Sequence, residues 1–521
     1  MTSFVLSTVD TVSRSLSTAE TGLITTTGGI LDATLNMGTS SRFLNWGVMN
    51  TTGIAVQVQA YSAYIENYGS IVGGGTLGVI DNYNLVSDGG RMEIVNHGYI
   101  GTMGTSDTAA VLSISSGNRI VNMGTITAAH DAVIELYDEL PGFSGAANTI
   151  LNSGRILQTG DGGYSVLIGY NTSDTLINSG EIVGAVSLGG GNNRVENTGS
   201  ISGGVFLGGG ADTLINTGTI TGDVDVSYGT NTVVNRGTIT GVLSLGSEGD
   251  YLDLRGGSVG SVIDYGGNDT YHVSQAGLAL TDYGGADTIF AYVDFALGNG
   301  IETLFLRGTA REGYGNELEN LLTGNALANI LDGGEANDVL NGLGGSDTLY
   351  GDQGNDSILG SAGTDRLYGG LGADTLSGGD GNDWLSGDEA ADRILGNLGD
   401  DTIIGGDAGD LLYGGTGGAD TFVFQAVQDS YGTTTATRDR IMDFETGIDR
   451  IDLRGVDANI ATAADNAFVA VAAFTGVAGQ LIQRVVGTNL FLEGDVNGDG
   501  VADFAIQFAG IGAISAGDIL L

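Results

Sequence analysis

The sequence contains no cysteine, and all 17 of its basic residues are arginine. Proline occurs once, at Pro141, and histidine three times, at His97, His130 and His272. Without cysteine, neither disulfides nor thiolate metal sites can form. None of the histidines stands in a His-Glu-x-x-His motif: His97 precedes Gly98, His130 precedes Asp131 and His272 precedes Val273. That excludes the zinc-protease arrangement, which needs two imidazoles and a carboxylate on one helical face. No run of 18 apolar residues offers a membrane-spanning helix. The opening residues Met1–Asp10 lack the basic and apolar regions of a secretory signal peptide. Basic charge is scarce as well: 62 acidic residues leave a net charge of −45. Such a balance disfavours nucleic acid and anionic membrane surfaces as partners.

What is abundant is glycine, at 94 residues, and it recurs with a period. From Gly333 to Tyr413 the chain reads as nine consecutive nine-residue units without insertion, one being Gly378-Gly-Asp-Gly-Asn-Asp-Trp-Leu-Ser386. Each unit opens with glycine, carries aspartate sixth and Leu or Ile eighth. Glycine permits a tight turn, and a short strand follows with one aliphatic side chain inward. Two units close a coil of 18 residues, so aspartates 18 apart stack. One column is Asp338, Asp356, Asp374, Asp392 and Asp410; the other is Asp347, Asp365, Asp383 and Asp401. Asp420 follows in Gly414-Gly-Thr-Gly-Gly-Ala-Asp420, a unit with one extra residue. Strands stacked ~4.8 Å apart would set like charges against each other at roughly 3–4 kcal/mol for an effective dielectric of 20. A hard cation removes that repulsion, and Ca²⁺ suits a flexible all-oxygen cage, so metal binding becomes folding free energy.

These nine units resemble the RTX (repeats-in-toxin) calcium-binding family, whose nonapeptide builds a parallel β-roll. The resemblance implies several Ca²⁺ ions, with Asp338, Asp347, Asp356, Asp365, Asp374, Asp383, Asp392, Asp401, Asp410 and Asp420 as metal-site residues. It also implies extracellular localisation and export by a type I system that reads an uncleaved C-terminal signal. The ending Asp518-Ile-Leu-Leu521 resembles such a signal.

A second repeat, apolar-Asn-x-Gly-x-Ile, runs from about residue 43 to 260. Its copies begin at Asn67, Asn96, Asn122, Asn152, Asn178, Asn197, Asn216 and Asn235. The last four are 19 residues apart, and earlier spacings of 22 to 30 imply loops inserted into some coils. A period near 20, rich in Ile, Val and Thr, predicts one coil of a right-handed parallel β-helix per copy, with a stacked asparagine ladder and a turn made by the glycine. Ten to twelve coils would form a rod on the order of 50–60 Å long. The motif resembles strand repeats of bacterial surface adhesins and autotransporter passengers, a likeness of architecture.

The expected fold class is therefore all-β: residues 1–260 a parallel β-helix, 261–332 transitional coils, 333–424 the β-roll, and 425–521 a β cap with the secretion signal. In the transitional stretch, Gly266-Gly-Asn-Asp-Thr-Tyr271 and Gly284-Gly-Ala-Asp-Thr-Ile289 are single relatives of the nonapeptide. Asn320 and Asn329 hold the aspartate position of two further in-phase units, predicting weak or empty calcium sites. Ala336, Ala390 and Ala408 replace the second turn glycine at some conformational cost. Asp439-Arg-Ile-Met-Asp-Phe444, Asp449-Arg-Ile-Asp-Leu453 and Gly494-Asp-Val-Asn-Gly-Asp-Gly-Val-Ala-Asp-Phe504 resemble the C-terminal domain of serralysin-type proteases. Asp495, Asn497, Asp499 and Gly500 match half of an EF-hand loop. Ile506 stands where the bidentate Glu belongs, so a tight β-turn is the better reading.

Two catalytic patterns compete with a structural role. Gly256-Gly-Ser-Val-Gly260 satisfies G-x-S-x-G but falls on the Asn-x-Gly-x-Ile repeat, outside the strand–turn–helix context that pattern needs. Arg119, His130, Asp131, Glu135, Asp138 and Glu139 form the best acid–base cluster for a β-helical polysaccharide lyase or epimerase. The sequence favours a secreted, calcium-stabilised structural or adhesive protein, not an enzyme. The partners expected are calcium, the export machinery, and itself or an extracellular polysaccharide. The lyase or epimerase is the alternative.

Overall fold

The computed structural model describes residues 2–6, 14–16, 21–24, 30–31, 35–38, 40–51, 53–58, 62–74, 79–82, 91–102, 109–113, 117–129, 132–136, 146–160, 164–168, 172–431, 437–461 and 466–521. Among these the chain is all-β, with two short 3₁₀ turns, Val427–Ser430 and Ala516–Asp518, as its only helices. The fold is a parallel β-helix and roll, as expected, arranged in two compact units, Met1–Gly285 and Ala286–Leu521.

In the first unit a coil carries three strands. Thr149–Asn152, Arg155–Gln158 and Tyr164–Ile168 make up one coil, and each pairs in parallel with its counterparts one coil before and one after. Side chains alternate with the period of 2 that a pleated strand imposes. Ile150 and Asn152 point inward while Thr149 and Leu151 lie half-exposed. Ile94, Ile120, Ile150, Leu176, Val195, Leu214 and Val233 stack in register as one fully buried column. The register holds across the irregular spacings: Asn67 pairs with Asn96 across 29 residues as squarely as Asn197 with Asn216 across 19. The extra residues do not shift the register of the strands on either side.

The repeat glycines answer to a different constraint than turn geometry. None of those at Gly98, Gly124, Gly154, Gly180, Gly199, Gly218 or Gly237 has positive φ. A Cβ there would instead lie 2.0–2.1 Å from the carbonyl oxygen of the equivalent glycine one coil earlier. Glycine is required because consecutive turns stack backbone on backbone.

The second unit has two strands per coil and a period of 18. Leu340, Ile358, Leu376, Ile394 and Leu412 form one buried column. Leu331, Leu349, Leu367, Leu385 and Ile403 form the other. Strands such as Ser357–Ala362 and Arg366–Leu371 are six residues long, longer than the short strand expected. The opening residues of each following unit stay in the ladder (Ser361 pairs with Gly379), which leaves only three residues for the turn. At the end, Arg440–Ile441 and Phe504–Phe508 continue one ladder, and Arg450–Asp452 and Ile519–Leu520 the other. Gln480–Val486, Asn489–Asp495 and Phe504–Phe508 form an antiparallel meander over the first of these. Phe422, Phe444 and Phe508 pack beneath it, with ring centroids 5.2–6.1 Å apart. The meander covers what would be open strand edges.

Candidate functional site: a ladder of buried aspartates

The ten aspartates singled out in the sequence are all buried, none more than 3% exposed. Each directly precedes a strand and accepts, through Oδ1, the backbone N–H of its counterpart one coil earlier. Asp338 N–H donates to Asp356, Asp356 to Asp374 and Asp374 to Asp392, at 2.7 Å each; Asp392 donates to Asp410 at 2.8 Å. The second column runs Asp347 to Asp365, Asp383, Asp401 and Asp420 at 2.8–2.9 Å. The other oxygen has no such partner. Oδ2 of all nine aspartates from Asp338 to Asp410 is buried with no hydrogen bond. Burial and neighbouring carboxylates raise these groups well above the usual range: to about 6 for Asp374, about 7 for Asp338 and about 8 for Asp392. Burial likewise raises Asp356 and Asp365.

The first-position glycines shape the space beside these oxygens. A Cβ on Gly342, Gly351, Gly369 or Gly378 would sit 2.3–2.4 Å from Oδ2 of the aspartate in the same unit. Orphaned carboxylate oxygens, a cradle that any side chain would fill and an all-oxygen donor set fit calcium. Bound there, Ca²⁺ would neutralise charges that the fold otherwise buries at a cost.

Asn320 and Asn329 behave otherwise. Oδ1 of Asn320 accepts the Asn316 N–H at 2.7 Å, and Nδ2 donates to Ile301 O at 3.3 Å. Asn329 Nδ2 donates to Ala310 O and Arg311 O. These amides satisfy themselves without an ion. Ala336, Ala390 and Ala408 adopt φ of 77°, 75° and 90°, the left-handed turn in which glycine is at ease.

Sequence reasoning missed two extensions of this ladder. In the second unit it continues past Asp420: Asp410 N–H donates to Asp439 Oδ1 at 3.0 Å and Asp420 N–H to Asp449 Oδ1 at 3.1 Å. Asp439 is fully buried, and burial together with the Asp410 charge holds its carboxyl well above the ordinary value. A readable signal existed, since Asp439-Arg-Ile and Asp449-Arg-Ile repeat Asp392-Arg-Ile394 of the array. The first unit carries the same device in a mixture of asparagine and aspartate. Backbone N–H groups donate from Asn118 to Asn148, to Asp174, Asn193, Asp212, Asn231 and Asp250, at 2.6–3.0 Å. The signal there is an Asn or Asp directly before each strand.

The predicted asparagine ladder lies on the opposite end of those strands. From Asn45 through Asn67, Asn96, Asn122, Asn152, Asn178, Asn197 and Asn216 to Asn235, each Nδ2 donates to the next Oδ1 at 2.7–2.8 Å. All nine are buried.

The remaining candidates resolve plainly. Asp495 accepts Gly498 N–H at 2.7 Å and Gly500 N–H at 2.9 Å, so both its oxygens serve a tight turn. Ser258 lies exposed on the strand Ser258–Ile263, with Oγ 3.5 Å from the Thr238 hydroxyl. His97 stacks on Tyr68, which stacks on Trp46. Of the acid–base cluster, His130, Asp131, Asp138 and Glu139 lie outside the described residues. Arg119 pairs with Glu93 at 2.7 Å on one ladder, whereas Glu135 is buried in the strand Ile134–Leu136 of another. The sequence neighbours are thus split between two faces of the coil.

Together these features define an all-β parallel solenoid whose second unit carries a serralysin-type, RTX-like C-terminal domain. Residues 333–521 match the family model described as Peptidase M10 serralysin C terminal. The metalloprotease AprA of Pseudomonas entomophila (strain L48) is 42% identical over 97 residues, 18% of this chain and 19% of the protease. The chain thus spans about a fifth of that relative's length. Two solved structures are also similar, the AlgE6R2 and AlgE6R3 subunits of the Azotobacter vinelandii mannuronan C5-epimerase. They are 23% and 25% identical, covering 40% and 38% of this chain and 91% and 80% of their own, at TM-scores of 0.16 and 0.15.

Proposed function

We propose that this chain is an exported calcium-binding structural or adhesive protein of the extracellular space, a matrix or surface-layer component. Calcium orders the roll in the second unit, and the serralysin-type tail caps it and carries the signal for type I export. The supporting observation is the double column of aspartates whose Oδ2 atoms are buried without a partner. Asp338 through Asp410, with Asp420, hold the ions. In the cell interior, where calcium is scarce, those charges oppose folding. Outside, at the 10⁻⁴–10⁻³ M range of extracellular calcium modules, they drive it. The first unit presents its surface to a second copy of the chain or to an extracellular polysaccharide. Negative-stain electron microscopy with millimolar calcium and then chelator tests the reading. Calcium-dependent fibres or sheets support the matrix role, and dispersed particles under both conditions count against it.

One observation favours a second reading, action on an acidic polysaccharide. A cleft of about 350 Å³ in the first unit is lined by Tyr64, Arg91, Glu93, Asn118 and Arg119 among others, a cationic and phenolic set in an otherwise acidic chain. An assay on uronate polymers, repeated with Arg119→Ala, separates the two. Turnover that the substitution abolishes would make the chain a lyase or epimerase.

A further inference from the structure

Asp212 directly precedes the strand Thr213–Asn216 in the first unit, in register between Asn193 one coil before and Asn231 one coil after. Each asparagine turns Nδ2 back onto two carbonyls of its own turn. Asn193 donates to Gly189 O and Gly191 O at 3.3 and 3.1 Å, and Asn231 to Ser227 O and Gly229 O at 3.3 and 2.7 Å. The acceptors lie four and two residues upstream in both cases. Asp212 keeps the backbone bonds of the ladder: Oδ1 accepts Asn193 N–H at 2.6 Å, and its own N–H donates to Asn231 Oδ1 at 2.9 Å. Its Oδ2 occupies the place of the amide, is buried and has no hydrogen-bond partner, in a residue 1% exposed. A carboxylate oxygen cannot donate to the carbonyls that this position addresses, Gly208 O and Gly210 O. By the pattern of the neighbouring coils those carbonyls are the ones nearest its place in the turn, and burial pushes the carboxyl up to about 7.

A second observation is independent of that geometry. Gly210-Ala-Asp-Thr-Leu214 repeats, residue for residue, Gly372-Ala-Asp-Thr-Leu376 of the roll. The turn is open outward, since a Cβ on Gly209 would meet nothing within 4 Å, which leaves room for water ligands.

We propose that the turn Gly208–Asp212 is a separate cation site of the first unit, taking one hard divalent ion of the calcium class on Asp212 Oδ2 and the carbonyl oxygens of Gly208 and Gly210. The oxygen-only donor set selects that class over softer metals. The site lies outside the nonapeptide array and does not depend on what the roll binds.

Backbone hydrogen exchange over residues 206–216 of the full chain tests it, with wild type and Asp212→Asn each measured in millimolar calcium and in chelator. Asparagine is the residue of both neighbouring coils, so the variant keeps the fold. In wild type, calcium should slow exchange of this turn by about tenfold or more, as a ligand bound to the native state alone does. Asp212→Asn should exchange slowly in both conditions. An unchanged wild-type turn would overturn the proposal and assign Asp212 a proton in place of an ion. An equal calcium response in the variant would also overturn it, by tracing the effect to the roll. Failure of the roll to order in calcium would leave this comparison intact.

Discussion

Replacing Asp374 with asparagine should change the roll in opposite directions with and without calcium. The fold raises the Asp374 carboxyl from 3.8 to about 6, burial being the largest cause. Such a shift corresponds to about 3 kcal/mol against the charged form. Because the folded value lies above the ordinary one, stability is complete only below about pH 4 and is lost as pH rises through about 6. At pH 8 in chelator the variant escapes that penalty. Its Oδ1 can keep the bond from Asp356 N–H, and Asn320 and Asn329 show that an amide finds carbonyl acceptors at this position. The calcium-free roll should gain up to about 3 kcal/mol. In calcium the same change removes an anionic ligand, so the calcium midpoint should rise. Trp384, in the roll strand Trp384–Glu389, reports the transition. The chain has only one other tryptophan, Trp46, so a Trp46→Phe background isolates the signal. A variant less stable than wild type in chelator, or one with an unmoved calcium midpoint, would refute the column model.

Three further outcomes follow from the ladders. Lowering pH from 8 to 5.5 in chelator should increase order in the roll, because Asp338, Asp392 and Asp410 take up protons in the folded state near 7 to 8; far-UV circular dichroism against pH would register it, and a decrease would contradict the shifts. Asn197→Ala should destabilise the first unit by about 1–3 kcal/mol in urea unfolding, since it removes the short bond from the Asn178 amide and strands the Asn216 oxygen in the core. Gly199→Ala should prove far more damaging than Gly209→Ala, as a Cβ lies 2.0 Å from Gly180 O in the first and in open space in the second; equal melting temperatures would show that the turns do not stack as described.

Much of this was legible in the sequence because repetition converts spacing into position. The intervals of 18 and 19 residues place each aspartate and asparagine on its counterpart without knowledge of any contact, and the ladders follow them. Other features were not readable that way. Gly199 looks like a turn glycine in one dimension, and only stacking shows that the neighbouring backbone, not its own φ, excludes a side chain. Strand length in the roll was underestimated because a glycine pair reads as a turn, yet Gly379 still pairs with Ser361 of the coil before. The Asp439 and Asp449 members escaped because their spacing of 29 from Asp410 and Asp420 breaks the period. Arg119 and Glu135 illustrate the reverse error, since proximity along the chain placed on one site two residues that the coil divides between faces.

The coils solve one problem with two chemistries. Every coil of a parallel solenoid leaves backbone groups at its turns, and a side chain directly before the strand must satisfy them. An amide does this alone, because it carries both donor and acceptor. Asn193 and Asn231 therefore close their turns with no outside help. A carboxylate meets only half the need: Oδ1 accepts the N–H from the coil before, and in the roll Oδ2 is left buried with no hydrogen-bond partner. The missing half has to be positive and to come from solution. Exchanging asparagine for aspartate thus turns a self-sufficient coil into a conditional one wherever the turn offers Oδ2 no donor; Asp174 and Asp250 escape this because Thr172 Oγ1 and Gly246 N–H supply one. On this reading a coil with asparagine before its strand folds unaided, whereas the roll units from Asp338 to Asp410, and the Asp212 coil of the first unit, wait for a cation.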